Sequence, residues 1–168
     1  ETAASHFERA RSLAPESSRI QLLSELLERE RGRYEAALSH LRRAVELDST
    51  NHPALYTLAQ VTEQRGGSTA VPEALRLMDR LLAQQPQNLL VLIERARLAA
   101  KAGEAGPLRQ TLDRLAQRAE GWPEAARSSL RAARDASPSR AASQVAFLKN
   151  DLKRLPGYQA DQAAVQPP

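Results

Sequence analysis

The chain contains no cysteine. A disulfide framework and any thiolate metal site are therefore excluded, while the compartment stays open. Aromatic residues make up only 4% of its 168 residues, so its interior cannot be built on large rings. Valine and isoleucine are scarce, which removes most of what favours a sheet. No apolar run approaches 18 residues and no charged-then-apolar leader opens the chain, so neither a membrane span nor a signal peptide is expected. What remains is rich in leucine and alanine, two of the best helix formers, and the class expected is all-α. A helical pattern is already under way at Glu1, which reads as a cut inside a longer chain.

The net charge of +4 and a sequence pI of about 9.9 raise the question of nucleic acid. Of the 24 basic residues only Lys101, Lys149 and Lys153 are lysine, so arginine dominates. The basic residues are mostly interleaved with Asp and Glu, which argues for solvated helix faces rather than a phosphate track.

An internal repeat is the strongest signal. Ala3, Phe7, Ala10 and Pro15 are spaced by 4, 3 and 5 residues, and the same steps return at Ala37, Leu41, Ala44 and Ser49. They return again at Ala74, Met78, Leu81 and Pro86, and at Leu108, Leu112, Leu115 and Glu120, after intervals of 34, 37 and 34 residues. Positions i, i+4 and i+7 share one helix face, so each block predicts a helix with a narrow apolar stripe. A small alanine permits close approach of a neighbouring helix, and the larger residue fills the space beside it. Proline, or its polar substitute, separates one helix from the next. Gly32, Gly66 and Gly103 each precede a block and mark the turn inside a helix pair. Residues 66–71 carry three extra positions and read as a surface loop, with Pro72 opening the next helix.

This spacing resembles the tetratricopeptide repeat family. Leu55, Leu58, Ala59, Gly66, Ala74, Met78 and Pro86 follow its pattern well in one block, and Leu92, Ala96 and Gly103 in the next, where Arg95 replaces the usual leucine. Gly32, Tyr34, Ala37 and Ala44 follow it in an earlier block, whose first helix departs because Ile20, Leu23, Leu26 and Leu27 are displaced. The resemblance implies a right-handed superhelical solenoid of antiparallel helix pairs, with about seven to nine helices. It divides residues 1–157 into a partial repeat at 1–17, repeats at 18–51, 52–88 and 89–122, and capping helices at 123–155. Ser137-Pro138 starts the last of these, with Ala141, Val145, Leu148, Leu152 and Leu155 on one face. Residues 158–168 read as a tail or linker. The longer stretch VAFLKNDLKRLPGYQADQAAVQPP, residues 145–168, is also similar to the segment that follows such repeats in bacterial proteins continuing into FG-GAP/ASPIC-type propeller modules. That likeness implies a bacterial, extracytoplasmic parent; without it, a cytoplasmic one.

Catalytic and cofactor signatures are missing. His6, His40 and His52 are far apart and read as solvated imidazoles rather than metal ligands. Gly66-Gly67-Ser68-Thr69 lacks the lysine a phosphate loop needs, and no G-x-S-x-G, H-E-x-x-H or calcium-loop pattern occurs. No enzyme, metal or cofactor is expected.

A binding role follows from the resemblance, in which the first helices of successive repeats line a concave groove. Carried over residue by residue, that groove takes Leu22, Leu26 and Arg29, then Tyr56, Gln60, Glu63 and Gln64, then Ile93, Arg97 and Lys101. Extending the register past Pro123 adds Arg127, Arg131 and Arg134. The groove is then apolar at one end and basic at the other, suited to a partner protein segment that is acidic at one end. A chaperone-type carboxylate clamp is disfavoured, because Thr57, Gln60 and Glu94 stand where groove asparagines are needed. The alternatives are an RNA-binding helical array, disfavoured because no aromatics interleave with repeated base-reading residues, and a structural spacer between domains.

Overall fold

The computed structural model describes residues 3–167, with the side chains of residues 3, 4, 7 and 8 outside that description; the expected packing of Ala3 and Phe7 falls there. Every element among the described residues is helical. In chain order they are α1 (Ala3–Leu13), α2 (Ser18–Glu30), α3 (Tyr34–Leu47), α4 (His52–Gly66), a 3-10 turn (Gly67–Ala70), α5 (Val71–Gln84), α6 (Leu89–Ala102), α7 (Ala105–Ala116), α8 (Glu124–Asp135), α9 (Pro138–Leu152) and α10 (Pro156–Val165). No helix among them is long and apolar enough to cross a membrane.

The internal repeat reappears as a repeated turn. Before α2, α4 and α6 the backbone N–H of Ser17, Asn51 and Asn88 donates to a carbonyl three residues earlier, each at 3.1 Å. The same three side chains then cap the helix that follows, accepting from Ile20 N at 3.4 Å, Ala54 N at 3.0 Å and Val91 N at 3.0 Å. Each cap satisfies a donor that the first helical turn would otherwise leave orphaned. At the other end of α6, Gly103 takes a left-handed backbone (φ +74°) that a side chain would strain. The three-residue insertion shifts the corresponding turn after α4. There Gly67, not Gly66, carries the positive φ, and the extra residues wind into the 3-10 turn.

Consecutive helices pack on one another: α2 on α3, α4 on α5, α6 on α7 and α8 on α9, with α3 on α4 and α5 on α6 linking the pairs. Arg95, at a position where leucine was expected, staples three helices. It meets Asp79 of α5 at 2.5 Å and donates to the Pro107 carbonyl (3.0 Å) and to Thr111 of α7.

Ten residues of α6 are buried, distributed around its whole circumference. Such a helix needs neighbours on every side. The C-terminal part of the chain supplies them, because α9 packs along α6 and α10 packs on both α4 and α6. Where residues 158–168 were expected as a tail, residues 156–165 form a helix, with Tyr158 and Val165 buried. Sequence periodicity missed it because only two apolar anchors hold a helix of ten residues. A second departure concerns α2. Its buried side chains are Leu22, Ser24, Glu25 and Glu28, while Leu23 is exposed and Ile20, Leu26 and Leu27 are half-buried, so the displaced apolar set does not form its inner face.

A mixed-charge candidate cleft

Residues of α2, α4, α6 and α9 line an open cleft of about 360 Å³, among them Arg29, Gln60, Glu63, Glu94, Arg97 and Lys149. Arg97 is held by both carboxylates: its Nη1 and Nη2 meet Glu63 at 2.7 and 2.5 Å, and its Nε meets Glu94 at 2.8 Å. Lys101, one turn on along α6, adds a second cation to Glu63 at 2.9 Å, and Lys149 of α9 meets Glu94 at 2.5 Å. Two carboxylates and three cations therefore form one network. The forked guanidinium meets Glu63 bidentately, which fixes its plane.

The electrostatics follow from this geometry. The hydrogen bond from Arg97 dominates at Glu63 and draws its carboxyl down to about 2, against the opposing effect of burial. The same bond to Glu63 raises the Arg97 guanidinium above its ordinary value. At the far wall Arg29 lies 3.3 Å from Glu25, whose buried oxygens accept no hydrogen bond; burial pushes that carboxyl up, and Arg29 only partly offsets it.

Of the residues expected to line a partner groove, the cleft brings together Arg29, Gln60, Glu63, Gln64 and Arg97, with Lys101 beside them. The others lie elsewhere. Leu22, Tyr56 and Ile93 are buried within the chain and Leu26 is half-buried. Tyr56 and Ile93 sit on α4 and α6, the two helices over which α10 packs. As open contact residues they are corrected, since the chain already covers that face.

The basic stripe is divided too. Arg131 and Arg134 line a separate cleft of about 420 Å³ with Leu108, Arg109 and Leu112 of α7. Arg127 and Arg131 both pair with Glu124, at 2.6 and 2.7 Å, and Arg134 pairs with Asp113 at 2.8 Å. These arginines were expected to form the basic end of the groove; Glu124 on the same helix and Asp113 on α7 pair with all three, two acids against three cations.

The imidazoles also differ from expectation. His40 shares a 2.7 Å hydrogen bond with Gln21, and His52 bonds Gln84 and Gln85 at 2.9 and 2.6 Å, so both tie helices together. Sequence reasoning overlooked Lys149 and Asp161, and the role of Glu63 and Glu94 as counterions. One signal existed: Glu63 and Arg97 are 34 residues apart, one repeat length, and carry opposite charge. No protein-family model matches the chain, and comparison with curated proteins finds no match.

Proposed function

We propose that this chain is a protein-binding scaffold of the tetratricopeptide type, and that a partner segment docks in the cleft between α2, α4, α6 and α9. On this reading α2–α7 are three antiparallel pairs of a right-handed solenoid, and α1 is the second helix of a partial repeat. The thrice-repeated capping turn supports it. The observation that carries the binding role is the cleft itself, where paired charges are already held in place around an open space. Preorganised polar groups of this kind fix a ligand's register without a further ordering cost. Each of Arg97, Arg127, Arg131 and Arg134 has an acidic partner within the chain, which speaks against a nucleic-acid role built on a row of unpaired cations.

Selection of segments from a peptide-display library on the immobilised chain tests the proposal. Gln60 and Gln64 are exposed and take no part in the ion pairs, so Gln60→Trp and Gln64→Trp obstruct the cleft without unpairing a charge. Segments selected by the native chain and lost by both variants support the reading. Retention by both moves the interface elsewhere. Capture of nucleic acid alone, weakened steeply by salt, would put the RNA alternative in its place. No selected segment would leave a spacer between domains.

A further inference from the structure

Helix α10 is short, joined to α9 by only three residues, and lies against the face of α4 and α6. Its contacts are those of a docked ligand rather than of a repeat. Tyr158 and Val165, seven positions apart and therefore on one helix face, are its buried residues. Asp161 lies on the same side, and its carboxylate accepts from the backbone N–H of Leu89, at the first turn of α6, at 2.7 Å. The main-chain carbonyl of Asp161 also accepts from Asn88 Nδ2 at 2.9 Å. An anion at that position satisfies an orphan donor and complements the positive end of the helix.

The seat is imperfectly filled. Tyr56, 1% exposed, lies beside Tyr158 and Gln166, whose side chain approaches the Tyr56 hydroxyl without closing a full hydrogen bond. The Gln166 amide oxygen is engaged by Gln162 at 2.7 Å. A buried hydroxyl that is only loosely paired favours an occupant that closes a full hydrogen bond to it.

We infer that α10 is an intramolecular stand-in for a partner: a short helical segment presenting an aromatic residue, an aspartate three positions on and an aliphatic residue four beyond that. The inference rests on the scaffold reading and names the chemistry of a second, covered docking face next to the open cleft. A competing segment wins by repeating the Tyr158–Asp161–Val165 contacts while bonding the Tyr56 hydroxyl. The tether sets the threshold. A short linker holds α10 at an effective concentration of about 1 mM, so a free segment with an intrinsic Kd of about 10 μM appears roughly 100-fold weaker while α10 is docked.

The test uses the full chain and a fluorescent synthetic peptide spanning residues 155–167. Its binding is measured by anisotropy to the native chain and to the double variant Tyr158→Ala/Asp161→Ala, which weakens the internal competitor. The variant is expected to bind the peptide at least about tenfold more tightly than the native chain, and a peptide carrying Asp161→Ala is expected to lose most of that gain. A variant that keeps its helix content and single melting transition, yet binds no better than the native chain, overturns the inference. Should the variant unfold, hydrogen exchange on the native chain decides. Amides of α10 are expected to open at least about tenfold more often than those of α6, and equal protection overturns the inference. Peptide failure alongside continued binding of display-selected segments in the open cleft removes this inference alone. Failure of both removes the scaffold reading.

Discussion

Helices α2 and α6 begin with the same capping turn, yet they end up in opposite environments. Ten residues of α6 are buried and all but Glu94 are apolar. Among the four buried residues of α2, three are polar or charged: Ser24, Glu25 and Glu28. The difference comes from what arrives later in the chain. Helix α6 receives α9 and α10 in addition to α5 and α7, whereas α2 packs chiefly on α3 and lightly on α1. The repeat pattern therefore dictates where helices start and stop. How deeply each one is buried depends on segments far along the chain, which share none of that pattern.

The largest effect that would break this comparison is a truncation in α6. Ile93 is fully buried, so Ile93→Ala removes three methyl-sized groups from a site enclosed on all sides. A loss of about 2–5 kcal/mol is expected from a urea melt, with the m-value unchanged. Leu23→Ala on α2, where the side chain is 36% exposed, is expected to cost well under half of that. Equal losses would mean that α2 is as enclosed as α6.

Arg97→Met is expected to cost about 3 kcal/mol, because it leaves Glu63 and Glu94 short of a partner while keeping the stem's apolar contacts. Lys101 and Lys149 still face these carboxylates, so the double variant Arg97→Met/Glu63→Gln is expected to recover part of the loss. A fully additive pair of effects would show that the network is only a set of isolated contacts.

The two regions should respond to pH with opposite sign. Glu63 has a folded value near 2, below its ordinary 4.5, so its contribution is present above pH 4.5 and lost as pH falls towards 2. Glu63→Gln is expected to lower stability by about 2 kcal/mol at pH 7 and to flatten the acid limb. Glu25 is shifted upward by burial, so the folded state holds its proton more tightly. Its penalty is absent well below pH 4.5 and grows as pH rises through the folded value. Glu25→Gln is therefore expected to stabilise the chain by about 1 kcal/mol at pH 7 and by nothing at pH 3. Stability curves against pH for both variants check the two signs together.

Much of the helical framework was legible because its signals are local. Gly103 ends a helix by interactions within four residues of itself, and Pro72 and Pro138 fall within the first turns of helices. The 3.6-residue stripes through Leu41, Met78 and Leu112 likewise need only one helix to be recognised. The candidate site was legible only in part. Arg29, Gln60 and Arg97, which share the cleft, sit on α2, α4 and α6, at positions that the family resemblance implied. The return of α9 and α10 across α6 rests on Lys149 meeting Glu94 at 55 residues' separation and Asp161 reaching Leu89 at 72. No local pattern encodes such meetings, and the burial of Tyr56 and Ile93 follows from them.

The smallest effect sharpens the same contrast within the ion pairs. Arg134 and Asp113 meet at 2.8 Å, as close as many contacts of the Arg97 network, but their side chains are 45% and 44% exposed against 27% and 13% for Arg97 and Glu63. Water and salt screen the exposed pair, and ordering two mobile side chains offsets much of what attraction remains. Arg134→Ala is expected to change stability by less than about 0.5 kcal/mol, with the difference disappearing in 1 M salt. The Arg97→Met loss should persist largely unchanged in the same buffer, since its carboxylates are shielded from mobile ions. An Arg134→Ala loss comparable to that of Arg97→Met would mean that distance alone governs these pairs, and burial would no longer separate the cleft from the stripe on α8.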